Sequence, residues 1–121
     1  MSKRILLGVT GSIAAYKAAE LVRLMAGKGW KVTVVMTKSA TEFVGELTFR
    51  TLSQNQVFIE MFGPPGEWKP EHISLADCAD AMVIAPCTAN VIGKIANGIS
   101  DDLLTSTAMA HAPLTNELLD L

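Results

Sequence analysis

The chain has 121 residues, half of them hydrophobic and 18% charged, with a formal net charge of −2. That length suits one domain with one hydrophobic core, and so slight an acidic balance excludes an electrostatic binder of nucleic acid or anionic membrane. Two cysteines exclude a disulfide framework, no apolar run reaches membrane-spanning length, and the apolar stretch behind Met1 is too brief for a signal peptide. A cytoplasmic protein is expected, with apolar residues to spare for buried helices or subunit contacts.

Residues 5–9 (ILLGV) read as a strand buried on both faces. Apolar residues then recur at Ala14, Ala18, Leu21, Val22 and Met25, a helical stripe with Lys17, Glu20 and Arg23 on the other side. Gly27 and Gly29 mark the end of that helix. Residues 31–36 (KVTVVM) form a second β-rich strand. Strand, helix and strand make a βαβ unit, so the two strands are parallel and the crossover right-handed. Residues 41–53 read as a helical segment broken at Gly45, and residues 57–61 as a third strand. Gly63-Pro64-Pro65-Gly66 opens a loop that reaches Pro70. Residues 81–85 are another buried strand. Residues 88–96 and 101–110 are helical, separated by Asn97-Gly98. The alternation predicts an α/β, three-layer, doubly wound fold. Residues 1–121 read as a single domain, incomplete at its C-terminal end, because such a fold ordinarily continues for another strand or two.

The loop Thr10-Gly11-Ser12-Ile13-Ala14 leaves the first strand where open parallel sheets hold ligands. Gly11 permits close backbone approach, Ser12 can cap the helix, and the helix N-terminus favours an anion. The dinucleotide pattern G-x-G-x-x-G fails, because Thr10 stands where a glycine is needed, and G-x-x-x-x-G-K-[ST] is absent. The second strand runs into Met36-Thr37-Lys38-Ser39 and offers no acid for an adenosine ribose. Hydroxyls and a lysine there suit a monophosphate or a sugar-alcohol chain, which tilts the ligand from NAD toward a mononucleotide such as FMN. Pro86-Cys87-Thr88-Ala89-Asn90 follows the strand at residues 81–85 and lies at the same sheet edge. Pro86 stiffens the turn, Thr88 can cap the next helix, and Asn90 carries a donor and an acceptor that fit an imide edge. Asp101 and Asp102 favour the N-terminus of the last helix, and Ser106 and Thr107 are candidates for a phosphate or ribityl chain. His72 has a neutral pKa suited to proton transfer. His72, Cys78, Cys87 and His111 are too irregularly spaced for a zinc pattern, so no metal is expected. Cys78 reads as packing, and nothing local marks Cys87 as a nucleophile.

Taken together, these segments resemble the flavin-containing cysteine decarboxylases. The resemblance is carried by Gly8-Val9-Thr10-Gly11-Ser12-Ile13-Ala14-Ala15-Tyr16-Lys17, by His72-Ile73-x-Leu75, by Pro86-Cys87-Thr88-Ala89-Asn90, and by the run from Lys94 to Leu104, covering about residues 3–111. It implies a Rossmann-like, flavodoxin-type parallel sheet with helices on both faces, an FMN cofactor, and a homo-oligomer, trimeric or dodecameric, with the flavin at a subunit interface. It implies decarboxylation of a small phosphorylated cysteine substrate, 4′-phosphopantothenoylcysteine, to 4′-phosphopantetheine in coenzyme A biosynthesis. By the same resemblance His72 assists proton transfer or positions the carboxylate. Gly11, Ser12, Ser39, Ser106 and Thr107 hold the phosphate and ribityl chain. Phe43, Thr88 and Asn90 surround the ring, and Ile13, Thr37 and Pro86 complete the cofactor set. The family's P-x-M-N-x-x-M-W motif is not found after His111, where Ala112-Pro113-Leu114-Thr115-Asn116-Glu117 stands, so Asn116 does not inherit its role; a flap cysteine is also missing. The alternatives are a non-catalytic FMN-binding or regulatory homologue, a peptidyl-cysteine decarboxylase, and a flavin prenyltransferase, against which His72 argues.

Overall fold

The computed structural model describes residues 3–59 and 79–110. The expected loop at residues 63–70, His72, Cys78, His111 and residues 112–121 lie outside that set.

Four parallel strands form the sheet: β1 (Arg4–Val9), β2 (Lys31–Met36), β3 (Val57–Ile59) and β4 (Ala81–Ile84), in the order β3-β2-β1-β4. The register sets Leu7 beside Val34 and Val83, and Val34 beside Val57. Helix α1 (Ala15–Gly27) joins β1 to β2. A 3-10 turn (Ser39–Glu42) and helix α2 (Glu46–Ser53) join β2 to β3. Helices α3 (Ala89–Ala96) and α4 (Leu103–Ala110) follow β4. The break expected at Gly45 is real: it is the extended residue that separates the 3-10 turn from α2. A flavodoxin-type sheet places its third strand beyond β1; here β3 pairs with β2.

Alternation along the strands divides the core between two faces. Ile5, Leu7, Val9, Val32, Val34 and Met36 pack with Ala15, Ala18, Val22 and Met25 of α1 and with Phe49 of α2. Leu6, Val35 and Met82 point the other way and meet Val91 of α3 and Leu103, Leu104 and Ala108 of α4. The three-layer expectation therefore holds, with α1 and α2 on one face and α3 and α4 on the other. Phe49 is fully buried, and truncating such a side chain to alanine costs about 3–5 kcal/mol. One expectation needs correction. Residues 81–85 read as a buried strand, but Val83 is exposed, because among the described residues β4 pairs with β1 alone.

Both α1 and α3 end in the same hydrogen-bonded device. Trp30 N–H reaches the Met25 carbonyl and Gly29 N–H the Ala26 carbonyl, while Ile99 N–H reaches Lys94 and Gly98 N–H reaches Ile95. This is the Schellman pattern, whose C′ residue takes positive φ. Gly29 (φ +83°) and Gly98 (φ +72°) occupy those positions, so the helix-ending role expected of Gly29 and of Asn97-Gly98 is borne out, while Gly27 is the last residue of α1 itself. At Gly98 the device turns the chain back toward the acids that open α4.

Candidate functional site

From β1 the chain winds outward through β2 to β3, then crosses to place β4 on the other side of β1. The loops leaving β1 and β4 diverge to opposite faces of the sheet, which opens a crevice at their carboxyl ends. That switch point is where open α/β sheets take ligands. A cleft of about 250 Å³ lies there. Gly11 from the first loop, Thr37 and Ser39 from the second, Thr88 with Asn90, Val91 and Lys94 from α3 and its cap, and Asp102 ahead of α4 line it.

Gly11 is required by space. A Cβ on it would collide with Ser39 Cβ and lie 3.0 Å from the Ser39 carbonyl carbon and 3.2 Å from its oxygen. Two of those three atoms are backbone, so no rotamer change relieves the clash. The first two loops therefore touch at this point, leaving a bare stretch of backbone beside the Ser39 hydroxyl. Ser39 is exposed, and its hydroxyl makes no hydrogen bond among the described residues. Ser12 acts locally: its Oγ accepts the Ala14 N–H at 3.2 Å, while Ala14 itself is the N-cap and supplies no side-chain cap. The first turn of α1 carries no acid, so its partial positive charge is left uncompensated. Thr37 is buried and its Oγ1 accepts the Ala40 N–H at 3.2 Å, which fixes the turn bearing Ser39.

Thr10 locks the two halves of the crevice together. Fully buried, it donates its hydroxyl to the Pro86 carbonyl at 2.5 Å and accepts the Thr88 N–H at 3.0 Å. The Thr10 N–H also reaches the Pro86 carbonyl at 3.3 Å. Pro86 follows a cis peptide. Thr88 is the N-cap of α3 and accepts the Val91 N–H at 3.3 Å, as a threonine at that position should. Asn90, in the first turn, is exposed, and its side chain makes no hydrogen bond among the described residues. Lys94 lies one helical turn beyond it. Its ammonium stands 3.1 Å from Asp101 Oδ1 and 3.9 Å from Asp102 Oδ2. Asp102 caps α4: its Oδ1 accepts the Thr105 N–H at 2.7 Å and the Thr105 hydroxyl at 2.6 Å, and Thr105 Oγ1 accepts the Asp102 N–H at 3.3 Å. This reciprocal pair is a capping box.

Of the expected residues, the structure brings Gly11, Thr37, Ser39, Thr88 and Asn90 to the cleft. Pro86 contributes its carbonyl to the Thr10 link. Ile13 and Phe43 do not line the cleft; they stand 78% and 50% exposed on the segments leading away from Gly11 and Ser39. Ser106 donates to the Ser100 carbonyl at 3.3 Å and is not among the lining residues. Thr107 is turned away: fully buried, it donates to the Leu103 carbonyl at 2.7 Å, one turn back in its own helix. Its hydroxyl is spent within α4, on the side that packs against the sheet. Cys87 is a partly buried free thiol, and burial pushes its pKa above the ordinary value, which suits packing and not nucleophilic attack. Val91, Lys94 and Asp102 were missed as cleft residues, and Thr10 as the buried link between the two loops. The i, i+4 spacing of Asn90 and Lys94 puts both on one helical face, and the Asp-x-x-Thr spacing announces a capping pair; both signals were present in the sequence.

The flavoprotein family profile matches residues 1–117. The chain is 47% identical over 109 residues to the coenzyme A biosynthesis bifunctional protein CoaBC of Bacillus subtilis, a match covering 90% of this chain and 27% of that protein. It is 42% identical over 110 residues to a probable phosphopantothenoylcysteine decarboxylase of Streptococcus mutans, covering 91% of this chain and 62% of that one. It therefore spans only part of the length of these relatives. Among solved structures, the FMN-dependent cysteine decarboxylase TvaF from thioviridamide biosynthesis superposes with a TM-score of 0.80 at 27% identity, over 91% of this chain and 68% of its own. A cysteine-to-serine mutant of PPC decarboxylase complexed with pantothenoylaminoethenethiol superposes with a TM-score of 0.70 at 33% identity, over 93% and 61%.

Proposed function

The chain belongs to the flavoprotein family, and from that premise we propose that it binds FMN in the switch-point cleft and decarboxylates 4′-phosphopantothenoylcysteine to 4′-phosphopantetheine, a carboxy-lyase step of coenzyme A biosynthesis in the cytoplasm. The names of the relatives support the substrate, and the names of the structural neighbours support the cofactor.

The observation that carries the reading is the close approach of Gly11 to Ser39 at the cleft, which a Cβ at Gly11 would prevent. Bare backbone there, the Ser39 hydroxyl, unpartnered among the described residues, and the N-terminus of α1, with no acid in its first turn, form a donor surface suited to a phosphate. Thr88 and Asn90 offer a hydroxyl and an amide to the rest of a flavin nucleotide. When bound, the flavin supplies reversible two-electron oxidation of the cysteine moiety, so that carbon dioxide can leave in a reaction that is redox-neutral overall. The protein's part is to bind, orient and exclude water. His72, which lies outside the described residues, is assigned the proton transfer or the positioning of the substrate carboxylate.

A homo-oligomer, trimeric or dodecameric, belongs to the same reading. The cleft is about 250 Å³, below the roughly 300–1,000 Å³ of pockets that enclose a small ligand. The described residues would therefore enclose a flavin only in part. Ile13, Tyr16 and Phe43 are all at least half exposed, apolar surface that a second copy would cover.

The test is carbon dioxide release from 4′-phosphopantothenoylcysteine by purified, flavin-loaded protein, compared with His72→Asn. The reading expects turnover in the first and a flavin-bound, inactive protein in the second. A wild-type protein that takes up no FMN, or takes it up and releases no carbon dioxide, defeats the proposed activity. Turnover that survives His72→Asn removes His72 from its role.

A further inference from the structure

Asp102 has one oxygen more than its structural task needs. Capping α4 occupies Oδ1, which takes both the N–H and the hydroxyl of Thr105. The side chain is only 9% exposed. Its second oxygen, Oδ2, accepts no hydrogen bond among the described residues, and the Lys94 ammonium stands 3.9 Å away while leaning on Asp101 at 3.1 Å. Asp102 lines the same cleft as Gly11 and Ser39. A buried carboxylate oxygen without a donor is a standing deficit, and native structures rarely leave one unexplained.

A carboxylate only accepts. It is satisfied by a ligand's hydroxyl or N–H and repels a phosphate. Of the parts of a flavin nucleotide, the sugar-alcohol chain is the one rich in hydroxyl donors. We propose that Asp102 Oδ2 accepts a hydrogen bond from a ribityl hydroxyl, so that Asp102 reads the polyol and sets the direction of the ligand, with the phosphate kept to the Gly11–Ser39 side. Lys94 holds the α3–α4 corner that presents this oxygen. The inference rests on the flavin reading above and adds to it a residue that selects for the polyol chain.

The test compares affinities for two ligands: FMN, and the FMN analogue in which a plain phosphopentyl chain replaces the phosphoribityl one. Asp102→Asn keeps an oxygen for the Thr105 cap but turns the second position from acceptor to donor. Asp102→Ser keeps a capping hydroxyl and removes the second oxygen. Circular dichroism checks that both variants remain folded. Wild-type protein should prefer FMN by about tenfold or more. In both variants the preference should collapse to within about threefold, through weaker FMN binding with the analogue little changed. Variants that keep the wild-type preference, or that lose both ligands equally, overturn the role of Asp102. So does a wild-type protein that binds the two alike. A wild-type protein that binds neither overturns the flavin reading itself.

Discussion

Replacing Gly11 by alanine tests whether the first two loops form a binding cradle. The new methyl would overlap Ser39 Cβ and press on the Ser39 carbonyl group, at 3.0 Å from the carbon and 3.2 Å from the oxygen. A flexible side chain could move aside, but the peptide of Ser39 is held by the Thr37 and Ala40 hydrogen bonds. Overpacking of this kind costs about 1–3 kcal/mol. Gly11 does not have a positive φ, so alanine suffers no backbone strain and recovers about 0.4–1 kcal/mol by restricting the unfolded chain. The net loss is then about 0–2.6 kcal/mol, a fall in Tm of up to roughly 10 °C for a domain of this size. Flavin affinity should fall much further, because relieving the clash pushes the Gly11 and Ser39 loops apart and displaces the groups proposed to hold the phosphate. Gly27→Ala is the control: nothing lies within 4 Å of its added Cβ, and alanine at the end of a helix should be neutral or slightly stabilising. Thermal melts and FMN titrations of both variants are the assay. If Gly11→Ala keeps wild-type Tm and flavin affinity, the contact with Ser39 is not the one described.

Thr10→Val removes the hydroxyl that joins Pro86 to Thr88 while keeping the shape of the side chain. Leaving those buried groups short of a partner should cost about 1–3 kcal/mol by urea denaturation, and Thr10→Ser should recover most of it; equal loss in both would implicate packing instead. Thr88→Ala removes the cap of α3 and should cost about 0.5–2 kcal/mol, with weaker flavin binding because Asn90 and Lys94 move with the helix. Unchanged stability would show that the 3.3 Å contact to Val91 contributes nothing. The Cys87 thiol, raised by burial above its ordinary pKa, should be alkylated by iodoacetamide with a midpoint pH higher in native than in denatured protein. The unfolded thiol loses its proton first, so this group's contribution to stability is present below the unfolded pKa and declines as pH rises above it. A native midpoint at or below the denatured one contradicts the burial.

Much of this molecule was legible because local chemistry and global position agree. The run at residues 5–9 is apolar throughout, and it is one of the two strands with neighbours on both sides. The glycines at 29 and 98 sit where helices must stop. The Gly11 and Asn90 segments were found because both follow strands, and parallel strands deliver their loops to one edge. Long-range partners were not legible. Nothing near Thr10 says that its hydroxyl meets residues more than seventy positions away, and a threonine after a strand has many uses. Thr107 was misjudged for a different reason. Three hydroxyls in a row suggested a binding surface, but helical phase turns each in a different direction, and only packing decides which faces solvent. Asp102 was read only as an acid at a helix N-terminus and Lys94 was given no site role, because their meeting depends on the turn at Gly98 between the two helices.

The most direct measurement is a fluorescence titration of FMN with the purified chain. The account predicts quenching that saturates at one flavin per chain and is greatly weakened by Gly11→Ala but not by Gly27→Ala. Absence of quenching, or quenching that Gly11→Ala leaves untouched, would contradict the placement of a flavin nucleotide in the switch-point cleft.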